Sequence, residues 1–129
     1  MRLAIALCLI GSAAGAQSLM TAEEFDAWSR GKTLDYSVDG QIYGSERYLP
    51  GRKTVDANAG GPCVDGVWYP EGDAICFVYA AYEGTHCWRY WREGGAVFAK
   101  PVTAAPEEPP QRVTVAESPL TCPGPDVGG

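Results

Sequence analysis

From Gly31 onward, short runs of β-branched and aromatic residues alternate with glycine turns, a spacing that confines the chain to antiparallel strands joined by tight connections. Lys32 to Val38 and Gln41 to Leu49 flank Asp39-Gly40, a strong two-residue hairpin signal because both positions tolerate positive φ. A two-residue turn there sets Tyr36 opposite Tyr43. Pro50-Gly51 leads into Lys53 to Asn58, and Gly60-Gly61-Pro62 separates that run from Cys63 to Tyr69. Pro70-Glu71-Gly72 turns the chain into Ala74 to Tyr79, His86 to Arg92 makes the return strand, and Glu93-Gly94-Gly95 introduces Ala96 to Lys100. The fold class is therefore mainly β: an antiparallel meander or small incomplete β-barrel of about seven strands. Aromatic residues recur just before the glycine turns at intervals of roughly 20 residues, a pattern that turn chemistry alone produces.

One short helix precedes the strands, over about Ala22 to Arg30. Thr21-Ala22-Glu23-Glu24 forms a capping box, and Met20 and Phe25 occupy the staple positions across it. Phe25 and Trp28 share a face, and Gly31 supplies the left-handed residue that commonly ends a helix. So short a helix persists only when docked.

Residues 1–16 carry Arg2, the apolar run Leu3 to Ile10 and the small residues Ala14-Gly15-Ala16, the three parts of a secretory signal peptide. The run is shorter than the roughly 20 residues a membrane span requires. Mature protein is thus expected to begin near Gln17, periplasmic or secreted, with no membrane span. Removing the leader takes Cys8 with it and turns five cysteines into an even four, Cys63, Cys76, Cys87 and Cys122. In an oxidising compartment that parity fits two disulfides. Sixteen acidic against ten basic residues give a net charge of −6. Such a balance disfavours nucleic acid and anionic lipid, and permits a cationic periplasmic protein or cell-envelope component as partner.

Four cysteines allow three pairings. Placing Cys76 opposite Cys87 gives a self-consistent hairpin in which Ala74 meets Arg89 and Val78 meets Thr85. The opposite face then collects Ile75, Phe77, Tyr79, Trp88 and Tyr90, with His86 beside Phe77, and is the expected core. Cys63 and Cys122 would form the second bridge. Residues 17–100 thus make the helix plus β domain. Residues 101–129 hold seven prolines and form a tail partly tethered through Cys122.

No catalytic constellation emerges. His86 is the single histidine, and no serine has a nucleophile-elbow context. Acidic residues Asp56, Asp65, Glu71 and Asp73 cluster around two turns, where solvated carboxylates are common. Asp56 to Gly61 resembles the first half of a calcium loop, but Val67 stands where a bidentate glutamate belongs. The cysteines lack a close C-x-x-C pair, so zinc is not expected, nor any other metal or cofactor. Aromatic residues exceed what one small core hides. Trp68, Tyr69, Tyr82, His86 and Trp91 are the candidate contacts for a ligand or partner.

Gly66-Val67-Trp68, Gly72-Asp73-Ala74-Ile75-Cys76, Cys87-Trp88 and Gly31-Lys32-Thr33 together resemble a group of small exported bacterial proteins, of alphaproteobacterial type, whose function is unknown. The resemblance spans Thr21 to about Gly95 and implies a small antiparallel β fold with a Cys76 to Cys87 bridge, but no activity. The chain thus reads as an exported, disulfide-stabilised binding or interaction module, more consistent with a non-enzyme. Alternatives are an inhibitor of a cationic envelope hydrolase such as a lysozyme, and a barrel holding a small apolar ligand.

Overall fold

A computed structural model describes residues 18–122. The expected leader and its cleavage point lie outside the described residues, as does the last part of the tail. Helix α1 (Ala22–Ser29) is followed by β1 (Thr33–Val38), β2 (Gln41–Leu49), β3 (Lys53–Asn58), β4 (Val64–Glu71), β5 (Ala74–Tyr79), β6 (His86–Glu93), β7 (Ala96–Pro101) and β8 (Gln111–Val115). The strands pair in sequence order, all antiparallel, and β8 pairs with both β7 and β1 to close the barrel. Among the described residues, no helix is long and apolar enough to cross a membrane.

The eighth strand is the main departure from the seven-strand expectation. Gln111 to Val115 belongs to the proline-rich segment, yet Val113 is buried and pairs with Tyr36 on one side and Val97 on the other. Five residues gain little alone. Inserted between two free edges, they satisfy their own backbone groups and remove both edges at once.

Two details of register shape the interior. Asp39 and Gly40 both have positive φ, and Val38 pairs with Gln41 and Ser37 with Ile42, as a two-residue turn requires. The register then slips, so Tyr36 faces Gly44 and not Tyr43, correcting the simple hairpin pairing. A bulge inserts the extra residue, and Tyr43 is left half-exposed at the strand end. In the other hairpin, Cys76 opposes Cys87, Ile75 opposes Trp88 and Phe77 opposes His86. Both disulfides are formed, Cys76 with Cys87 and Cys63 with Cys122.

The helix closes one end of the barrel. Thr21 caps it by accepting from the Glu24 amide at 3.1 Å, while its hydroxyl donates to the Glu24 carboxylate, so Glu24 satisfies the cap hydroxyl. Phe25 is fully buried against Tyr48, Trp68 and Tyr90, with ring centroids 5.4, 5.2 and 4.5 Å away. Such aromatic contacts contribute about 0.5–1.5 kcal/mol each beyond the area they bury. Backbone bonds fix the docking, from the Met20 amide to the Tyr90 carbonyl and from the Gly31 amide to the Tyr48 carbonyl. Trp28 is half-buried, with Lys32 and Arg92 each about 6 Å from its ring centre. On the outer wall the chain beyond β8 returns past β1, where the Leu120 amide donates to the Thr33 hydroxyl, before Cys122 bonds Cys63.

Candidate functional site

Because the strands run alternately up and down, the end away from α1 gathers the start of β2, β4, β6 and β8 and the finish of β1, β3, β5 and β7. A cavity of about 320 Å³ opens there, lined by Tyr36, Tyr43, Gly44, Glu46, Asp56, Asn58, Phe77, Tyr79, Tyr82, His86, Trp88, Tyr90 and Gln111. That volume lies at the small end of the range of about 300–1,000 Å³ typical of ligand pockets. Tyr79 and Phe77 stack with centroids 6.0 Å apart, and Tyr82 meets Tyr79 edge-on at 5.6 Å. Aromatic rings thus form much of the wall.

The floor is polar. Glu46 is only 3% exposed and lies inward, two residues from the equally inward Tyr48. Its carboxylate accepts from the Tyr48 hydroxyl at 2.9 Å and from the Tyr79 hydroxyl at 2.9 and 3.2 Å. Tyr36 lies 2.5 Å from the Tyr48 oxygen and 2.9 Å from the Tyr90 oxygen. With Glu46 ionised, each hydroxyl donates once toward it: Tyr90 to Tyr36, Tyr36 to Tyr48, Tyr48 to Glu46. The chain of phenols therefore converges on one carboxylate and leaves acceptor capacity on Tyr90.

Across the β2–β3 ladder Glu46 is paired directly with Asp56. Burial, reinforced by the Asp56 charge, pushes the Glu46 carboxyl up to about 8, against the opposing pull of the Tyr79 and Tyr48 hydrogen bonds. Burial also raises Asp56, to about 6. The four phenols Tyr36, Tyr48, Tyr79 and Tyr90 are all held above the ordinary tyrosine value, first by burial and then by neighbouring negative charge. At neutral pH the floor thus holds one carboxyl that keeps its proton beside one that has released it. Such a pair can donate a hydrogen bond, receive one, or take up positive charge.

Gly66 of β4 makes this arrangement possible. A Cβ there would lie 2.6 Å from the Tyr79 ring and 2.7 Å from the Thr54 hydroxyl. Only a bare backbone lets the ring lie across β4 and reach Glu46.

The five sequence candidates separate. Tyr82 and His86 stand at the cavity, Tyr82 beside Asn58, and the His86 Nε2 3.1 Å from the Glu83 carbonyl. Trp68 is buried at the closed end against Phe25, with Arg52 4.9 Å from its ring centre, so it is part of the plug and not of the mouth. Trp91 is buried on the outer side, stacked on Phe98 and bridged to Leu19. Tyr69 is partly exposed and pairs with Cys76 outside the cavity. Reading from sequence missed Glu46, Tyr36, Tyr79, Trp88 and Tyr90 as site residues. Tyr79, Trp88 and Tyr90 are expected on the inward face, but as core; Tyr36 and Glu46 join them only once β1, β2 and β3 are paired.

Glu71 lies with Cys76 and Cys87 in the one grouping of metal-ligand types among the described residues. Both sulfurs are committed to a disulfide and offer no thiolate. No protein-family model, curated protein or solved structure matches the chain.

Proposed function

We propose that this is an exported, disulfide-linked barrel that binds a small amphiphilic molecule in its open end, and that it belongs with the exported group its sequence resembles. The observation that carries the binding reading is the asymmetry of the barrel interior. One end is filled by Phe25 and its aromatic neighbours, while the other retains a cavity of about 320 Å³ with ring walls and a carboxyl floor. A small barrel whose interior serves stability alone fills its core throughout with side chains. Here two inward carboxyls and several phenols occupy positions where aliphatic residues would be more stabilising.

The same floor argues against a wholly apolar ligand. Buried polar groups need partners, and a hydrocarbon would offer none to the Glu46 and Asp56 carboxyls. Aromatic walls call for an apolar body, and the floor calls for a polar head. Native mass spectrometry of freshly purified mature protein, followed by denaturation, tests this reading. A non-covalent adduct that is released on unfolding is expected. An empty protein that is not stabilised by any member of a diverse small-molecule set would contradict it.

A further inference from the structure

We propose that the ligand is a small organic cation, an ammonium group on an apolar body, seated with its charge between Glu46 and Asp56 and its body against the rings of Tyr79, Tyr82 and Trp88. This inference rests on the ligand-binding reading and names the chemistry of that ligand.

Four observations converge on it. The cavity lining includes two carboxyls, one histidine, and neither lysine nor arginine, so an anionic head would meet the Asp56 charge and no permanently cationic partner. Glu46 is buried, and the two side-chain ion pairs among the described residues, Arg30 with Asp26 and Arg89 with Asp73, do not involve it. A buried carboxyl either keeps its proton, as Glu46 does at neutral pH, or ionises beside a positive charge, and here a cation has room to enter from outside and take the proton's place. Once a cation displaces the proton from Glu46, the phenols donate in turn toward that carboxylate, and the Tyr90 oxygen, which lines the cavity, is left free to accept an N–H. Finally, ring faces attract cations, and carboxylates combined with aromatic walls provide the environment that recognises ammonium groups. The net charge of −6 steers such a ligand toward the protein.

A bare divalent metal ion fits less well. Calcium takes six to eight oxygen ligands, whereas rings make up much of this wall and the two carboxyls stand on one side of it.

Isothermal titration of the mature protein with three probes of similar shape tests the proposal: 2-phenylethylammonium, 3-phenyl-1-propanol and 3-phenylpropanoate. The ammonium is expected to bind roughly tenfold or more tighter than the alcohol, and the carboxylate weakest of the three, because charge-assisted bonds are about twice as strong as neutral ones. Glu46→Gln and, separately, Asp56→Asn are each expected to reduce ammonium affinity severalfold while leaving the alcohol nearly unchanged. The circular dichroism of each variant establishes that it is folded, and either alone suffices. Equal or tighter binding of the alcohol or carboxylate would overturn the cation assignment and leave the ligand-binding reading standing. So would calcium chloride alone matching the ammonium. Binding of none of the three would also overturn the assignment, and native mass spectrometry then decides the broader reading separately.

Discussion

The ring of Tyr79 lies where a side chain on Gly66 would be, 2.6 Å from the position of the missing Cβ, and from there its hydroxyl reaches both oxygens of Glu46. A glycine on β4 and a tyrosine on β5 are thus one device for holding a buried carboxyl at the cavity floor. Gly66→Ala is expected to destabilise the fold by about 1–3 kcal/mol, the usual cost of overpacking. It should also shift the Tyr79 ring resonances. Urea unfolding and aromatic NMR check both, and an alanine variant as stable as the parent with Tyr79 unmoved would refute the device.

Glu46 makes stability depend on pH in an unusual direction. The unfolded chain releases this proton near 4.5, while the folded protein holds it until about 8. Folded protein therefore binds more protons in between, and stability falls as pH rises through that window. Asp56 adds to the fall between its ordinary 3.8 and about 6. Glu46→Gln removes the larger part. Melting curves from pH 4 to 9 should show a flatter profile for the variant and a gain over the parent of order a few kcal/mol above pH 8. Identical profiles would show that Glu46 is not the group responsible.

The bridge from Cys63 to Cys122 closes a span of 59 residues that contains β4 through β8. Replacing both cysteines with serine is expected to cost up to about 4 kcal/mol by the loop-closure argument. The loss should also be local, since β8 is held to β7 by only three residue pairs. Hydrogen exchange is expected to show β7 and β8 amides losing protection before those of β2 and β3. Uniform loss across the barrel would indicate that the bridge stabilises the fold only globally.

How much of this was legible beforehand depended on where each signal resides. Strands β1 to β7 and the helix could be read to within a residue or two, because Asp39-Gly40, Pro50-Gly51 and Gly94-Gly95 are local chemical instructions. Val113-Thr114-Val115 is a β-forming run, but its stability comes from the neighbouring edges of β1 and β7, and the prolines around it read as a tail. The bulge at Tyr43 had no local cue. Glu46 stands beside Arg47, with no local cue that it is buried. Only the register linking it to Tyr48 on its own strand and Asp56 across the ladder turns it inward. Trp68 and Trp91 read as more aromatic surface than one core needs, but the docking helix and the segment at Leu19 consume them.

The central claim, that the open end of the barrel is a ligand site, is tested most directly by ¹H–¹⁵N NMR titration with a mixture of small amphiphiles, neutral and of either charge. Saturable shifts confined to the amides of Gly44, Asp56, Tyr79, Tyr82 and Gln111 are the predicted result. Shifts centred on the outer residues Val67, Tyr69 and Val78, or no saturable shift anywhere, would contradict it.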